Sequence, residues 1–229
     1  VGEIQLRQTR EVRIQAERVE LRGDLALPPR ALGMVVFAHG SGSGRHSPRN
    51  RHVAAVLEQA GFGSLLMDLL TEDEEQVDRV TARLRFDVDL LARRLVEATR
   101  WLQESGSAPE LPIGYFGAST GAAAAFIAAA ERPDGIRAIV SRGGRPDLAM
   151  DHLRRVAAPS LLIVGELDRR VIIMNRTALS ELRGERQLVI VPGATHLFEE
   201  PGALDVVAKQ AAAWFRRYLP PSPSDAGTR

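Results

Sequence analysis

The chain has 229 residues, 45% of them hydrophobic and 26% charged, and its 30 Lys+Arg against 29 Asp+Glu leave a formal net charge of +1. That balance is ordinary for a globular protein and implies neither a nucleic acid nor another polyanion as partner. With no cysteine, disulfides, thiolate metal sites and a cysteine nucleophile are excluded.

No apolar run is long enough to span a membrane and no signal peptide opens the chain, so a cytoplasmic location is expected. Opening at Val1 points to a trimmed leader or initiator residue. Lys209 is the single lysine among the basic residues, which reads as coding bias. The length suits one α/β domain over residues 1–219.

Between residues 11 and 28, Val12, Ile14, Val19, Leu21, Leu25 and Leu27 alternate with polar residues. One or two antiparallel strands follow, interrupted at Arg22-Gly23-Asp24 and ended by Pro28-Pro29. Met34 to Ala38 reads as a strand buried on both faces. It runs into His39-Gly40-Ser41-Gly42-Ser43-Gly44, then a helix capped by Ser47 with Pro48 at its first position. Gly63 to Leu69 is the next strand. Residues 71–78 read as an acidic loop or ragged helix start, and a long amphipathic helix is expected from Val80 to Leu102. Ser105 to Pro112 is loop. Strands follow at Ile113–Phe116, Ile136–Val140, Ser160–Val164 and Leu188–Val191, and helices at Gly121–Ala130, 147–155, 171–183 and Leu204–Leu219. The Pro/Ser-rich residues 220–229 read as a disordered tail. Strands alternating with helices call for a mostly parallel sheet, begun by an antiparallel pair and covered by helices on both faces.

The chemistry centres on Gly117-Ala118-Ser119-Thr120-Gly121. An abrupt strand-to-helix turn needs small residues two before and two after its central residue. It forces the serine onto strained backbone at a helix N-terminus. Ligands of open α/β sheets bind beyond the carboxyl ends of the strands, and Asp168 and His196 follow two other strand ends. The order serine, aspartate, histidine is that of α/β hydrolases. The chemistry requires each residue type. Ser119 needs a base, a role that suits histidine as a residue type and falls to His196, and Asp168 would hold the imidazole's tautomer. The developing oxyanion needs two donors, for which the amides of Thr120 and Ser41 are placed, with Gly42 as the alternative to Ser41.

Glu166 rivals Asp168 as the acid. His39 reads as a structural support of the Gly40–Gly44 loop, while His46, His52 and His152 read as solvated; no histidine has metal-ligand spacing. The glycine-rich loop lacks the lysine of a P-loop, and Arg45 replaces the third glycine of a dinucleotide fingerprint, although Asp68 stands where a ribose-binding acid can sit. Arg45, Arg49, Arg51, Arg142 and Arg145 lie on loops of the same rim, either as a solvated face or to recognise an anionic substrate; Arg142, just past a strand end, is the foremost candidate. Gly40 and Leu197 are further candidates to touch substrate.

Phe37-Ala38-His39-Gly40-Ser41, Gly117-x-Ser119-x-Gly121, Gly165-Glu166-Leu167-Asp168 and Gly193-Ala194-Thr195-His196-Leu197-Phe198 together resemble the α/β-hydrolase superfamily and, within it, the dienelactone hydrolase family, over residues 12–219. The resemblance implies an α/β-hydrolase fold and an acyl-enzyme on Ser119. Residues 141–159 leave no room for the cap domain that many related hydrolases insert there. Dienelactone hydrolases usually carry a cysteine nucleophile, so the serine argues for short-chain esters or small lactones rather than dienelactone itself. The expectation is thus a carboxylesterase with a small-molecule substrate, no cofactor, no metal, no nucleic acid and no membrane, as monomer or homodimer. A non-catalytic small-molecule binder and a nucleotide-binding oxidoreductase are the alternatives.

Overall fold

The computed structural model describes residues 9–108 and 110–220; the expected tail, from residue 221 on, lies outside them. Eight strands form one sheet: β1 (Thr9–Ala16), β2 (Val19–Ala26), β3 (Met34–Ala38), β4 (Gly63–Met67), β5 (Ile113–Ala118), β6 (Ile136–Arg142), β7 (Ser160–Gly165) and β8 (Arg186–Val191). Their order is β1-β2-β4-β3-β5-β6-β7-β8. β1 pairs antiparallel with β2, and β2 with β4; every later pairing is parallel. The helices are α1 (Pro48–Gln59), α2 (Glu72–Thr81), α3 (Val88–Glu104), α4 (Thr120–Glu131), α5 (Met150–Leu153), α6 (Arg169–Glu181) and α7 (Ala203–Tyr218).

The sheet divides two apolar layers. On one face α3, α4 and α6 pack with Leu91, Leu95, Ala124, Phe126 and Ala178. On the other, α1 and α7 pack with Leu57, Val207 and Phe215 against Phe37, Phe116 and Val140. Strands β3, β4, β5 and β7 are buried at every position, as parallel strands covered on both faces must be. Helix α4 is buried from Thr120 to Ala130. Its alanines let it lie close to the sheet and to α3, which no bulkier sequence would permit.

Three expectations need correction. The break in the N-terminal pair falls at Glu17-Arg18, where Glu17 has φ 51°, and not at Arg22-Gly23-Asp24. Gly23 lies inside β2, where a Cβ would stand 3.0 Å from Leu65 and 3.1 Å from Ile14. The acidic stretch after β4 is α2, opened by a capping box in which Thr71 and Glu74 satisfy each other's backbone amides. The helix expected from Val80 to Leu102 is therefore two. Ala82 turns left-handed at φ 52°, and the buried Asp78 carboxylate accepts the amides of Leu84 (2.7 Å) and Arg85 (3.1 Å) and Arg85 Nε (2.5 Å). A short 3-10 turn, Leu84–Phe86, follows before Asp87 caps α3. Between β6 and β7 the chain holds only a 3-10 turn, Pro146–Ala149, and α5, so no cap covers the carboxyl edge of the sheet there.

Candidate active site

Ser119 follows β5 with φ 50° and ψ −120°, a conformation that costs a non-glycine residue roughly 1–3 kcal/mol. Its neighbours impose it. A Cβ on Gly117 would come within 2.8 Å of Ala122 N, and one on Gly121 would overlap Ala38 O and reach 2.5 Å from His39 O. The strained backbone is held from the β6 side, where Ser119 N donates to Arg142 O (3.2 Å) and Arg145 N donates to Ser119 O (3.1 Å). Gly40 passes so near that a Cβ there would sit 3.1 Å from Ser119 Cβ.

Asp168 and His196 come from the loops after β7 and β8, and His196 Nδ1 lies 2.6 Å from Asp168 Oδ2. With Nδ1 donating to the carboxylate, Nε2 is left free to accept a proton. The imidazole leans over the end of β6: a Cβ on Gly143, whose φ is 53°, would meet its Cε1 and Nδ1 at 3.4 Å. Among the described residues no hydrogen bond joins Ser119 Oγ to the ring; that contact is commonly long in substrate-free enzymes and tightens in the reacting complex.

The two loops are braced together. Leu167 N donates to Ala194 O (3.0 Å), and Glu166 N to Val191 O (3.0 Å). The Glu166 carboxylate accepts Gly193 N at 2.8 Å, so the rival acid is engaged away from His196. Glu200 accepts Thr195 N at 3.1 Å, and hydrogen bonding, foremost from the Thr195 side chain, holds its carboxyl below the usual range. Asn175, fully buried on α6, donates to Gly144 O (3.0 Å) and fixes the loop that supports Ser119. Sequence reasoning misses Gly143, Asn175 and Glu200; only the Gly143-Gly144 pair after a strand end carries a visible signal.

His39 has the structural place expected of it. Its Nε2 accepts Leu69 N at 3.0 Å, which leaves Nδ1 to donate to Gly40 O at 2.9 Å. One neutral ring thus ties the Gly40–Gly44 loop to the end of β4. Burial pushes its pKa down against the opposing pull of Gly40 O and Asp68. No loop hydrogen bond engages the amides of Ser41 or Thr120 among the described residues.

Asp68 is not a free ribose-binding acid. It accepts Arg45 N at 2.7 Å, pairs with the Arg45 guanidinium and closes on Gly44. Of the rim arginines, Arg45 also faces Asp24 and Glu11, Arg51 pairs with Asp24, Arg49 with Glu199 and Arg145 with Asp147. Arg142 is buried and has no such partner among the described residues. His52 pairs with Asp205, and His46 and His152 lie exposed or half-exposed beside arginines. Leu197, next to His196, is 40% exposed. A cavity of about 970 Å³ opens beside Ser41, between the Gly40–Gly44 loop and α2, with Arg22, Glu72, Glu75, Arg79 and Arg85 on its walls. No group of three or more potential metal-ligating side chains occurs among the described residues, and no helix of theirs is long and apolar enough to cross a membrane.

A serine elbow on an eight-stranded, mostly parallel sheet, with an aspartate and a histidine after later strands, defines the α/β-hydrolase fold class. The chain belongs to the dienelactone hydrolase family, whose model matches residues 21–219, and that family is one of hydrolases. It is similar to the dienelactone hydrolase of Anabaena variabilis, at 56% identity and TM-score 0.92 over 93% of this chain and 99% of that one. Est1E of Butyrivibrio proteoclasticus shares the fold, with TM-score 0.73 at 16% identity over 90% of this chain and 98% of its own. Two Mycobacterium tuberculosis strains hold relatives 54% identical over 215 residues that carry a provisional phosphoribosyl transferase name. That match covers 93% of this chain and 48% of theirs; the chain spans about half the length of the curated relatives it matches.

Proposed function

We propose that the chain is a serine carboxylesterase that hydrolyses short-chain carboxylic esters or small lactones. The observation that carries this reading is Ser119 at φ 50° on the same rim as the 2.6 Å His196–Asp168 pair. Ser119 Oγ attacks the ester carbonyl as His196 Nε2 takes its proton. The tetrahedral oxyanion forms against the amides of Ser41 and Thr120. His196 then protonates the departing alcohol, leaving an acyl group on Ser119. Water, deprotonated by the same ring, releases the acid. Asp168 stabilises the imidazolium in both halves. Each oxyanion donor is worth about 3–4 kcal/mol of transition-state stabilisation.

The substrate's size follows from the surroundings. With only short elements between β6 and β7 the site is open. The cavity beside Ser41 mixes charged side chains with Leu70 and Leu91 and is not lined by Ser119 or His196, so the preference for a short acyl group rests on the open site. Gly40 lets the substrate approach Ser119 closely, and Leu197 offers an apolar contact beside His196.

Hydrolysis of 4-nitrophenyl acetate, butyrate and octanoate, with Ser119→Ala alongside, tests the reading. Preference for acetate or butyrate, a loss of orders of magnitude in the variant, and fluorophosphonate labelling at Ser119 are expected. Equal rates in variant and parent would overturn it and favour a small-molecule binder.

A further inference from the structure

The two edges of the sheet are built differently. β1 and β8 are its outer strands. β1 exposes Arg10, Glu11, Arg13 and Gln15 along its length, the charged trim that keeps an edge from pairing with another chain. β8 has no such trim. From Gln187 to Val191 it carries no charged residue and no proline. Leu188, Val189 and Ile190 are each only half-buried, whereas the neighbouring β7 is buried at every position.

The backbone of β8 is likewise open on one side. Ser160 N donates to Glu185 O, and Glu166 N to Val191 O. The odd-numbered residues therefore turn their backbone toward β7, while Arg186, Leu188 and Ile190 turn N–H and C=O outward. No second strand among the described residues meets them.

A second copy of the chain fits this edge. A twofold axis normal to the sheet sets two β8 strands antiparallel with the same face upward. With Leu188 on the axis, Arg186 stands opposite Ile190, and each outward N–H and C=O of Arg186, Leu188 and Ile190 finds a partner. Moving the axis to Val189 would set Arg186 opposite Pro192, which has no N–H to give. Moving it to Gln187 would carry Ile190 past the start of the strand at Arg186.

Charge agrees with this register. Glu185 and Arg186 face Val191 and Ile190 of the second copy, never themselves. Arg186 arrives at the end of the second strand where the exposed Glu166 carboxylate lies bonded to Gly193 N. Helix α6 lies over β7 and β8. Its counterpart would run antiparallel about two strand spacings away, within the roughly 8–10 Å of packed helices. Ile173, 65% exposed on α6, would be covered there, and the Arg169-Arg170 start of one helix would meet the Glu181 end of the other.

We propose that β8 is the interface of a homodimer in which two chains join antiparallel at Leu188 into one continuous sheet. Such a dimer requires no catalytic activity, so its test is separate from that of the hydrolase reading.

Sedimentation velocity over a wide concentration range should show a species of twice the chain mass, and the melting temperature should rise with protein concentration. Ile190→Pro removes an outward N–H, and Leu188→Lys adds a charge that faces itself across the axis. Each should raise the dimer Kd at least tenfold and keep the circular dichroism of the folded chain. Because the chain has no cysteine, a single introduced thiol reports the register. Leu188→Cys should form a disulfide-linked dimer under mild oxidation, since opposed hydrogen-bonded residues stand about 5.5 Å apart. Arg13→Cys on β1 should not, and this comparison provides a second reading should an edge variant misfold. A monomer at every concentration, a Kd unchanged in folded Ile190→Pro and Leu188→Lys, or equal cross-linking of Leu188→Cys and Arg13→Cys would overturn the interface.

Discussion

The Glu166 carboxylate accepts the Gly193 amide at 2.8 Å, and the two residues belong to the loops that carry Asp168 and His196. Glu166 is thereby a brace and Asp168 the imidazole's partner. Asp168→Asn should lower kcat by about 10³–10⁴ through loss of the right tautomer. Glu166→Gln should retain most of kcat and lose about 0.5–1.5 kcal/mol of stability, as for an exposed hydrogen bond. Steady-state kinetics with urea melts of both variants separates the roles; an equal collapse of kcat in Glu166→Gln would reverse them.

Gly121 has no space for a side chain, since a methyl group there would overlap Ala38 O. Gly121→Ala should cost at least the upper end of the roughly 1–3 kcal/mol typical of overpacking, seen as a lower urea midpoint or insoluble protein. A stable, active Gly121→Ala would mean that the elbow is looser than described.

Ser119 holds a positive φ that glycine adopts freely. Ser119→Gly should therefore be more stable than Ser119→Ala by about 1 kcal/mol, although both remove the hydroxyl. Calorimetry of the two inactive variants measures the difference, and Ser119→Ala melting at or above Ser119→Gly would contradict a strained elbow.

His39 gives the fold a pH dependence of definite sign. Its folded pKa lies below the ordinary 6.5, so its stabilising contribution is complete above about pH 6.5. As the pH falls from there, the unfolded chain takes up a proton that the folded one refuses, and stability declines until the folded pKa is passed. Protonation of Nε2 also removes the acceptor of Leu69 N. His39→Gln should flatten the fall in urea midpoint between about pH 6.5 and pH 5, and an unchanged slope would place the linkage elsewhere.

The elbow is legible in the sequence because its constraints are local: Gly117 and Gly121 exclude side chains within a few residues of Ser119. The three strand ends are legible because a parallel sheet sends its loops to one edge. The region after β4 is harder. Thr71-x-x-Glu74 is a capping box in plain view, but the acidic run masks it. The break after α2 depends on one buried carboxylate, Asp78, collecting amides from residues 84 and 85, a satisfaction across the break that periodicity does not register. The hairpin turn is easily misplaced because Gly23 resembles a turn residue, whereas it is glycine to let Ile14 and Leu65 meet across β2. The pairing of the rim arginines is illegible for a related reason. Which of them finds a carboxylate depends on residues as distant in the chain as Arg49 and Glu199.

Helix α4 is enclosed along its length from Thr120 to Ala130, without a charged side chain in that span. Its amides have no local route to water, so deuterium should reach them only when the whole molecule opens. The backbone that begins at the candidate nucleophile would then be among the slowest-exchanging parts of the molecule. Adaptation to new substrates would fall to the loops around it, with the elbow itself as the fixed point.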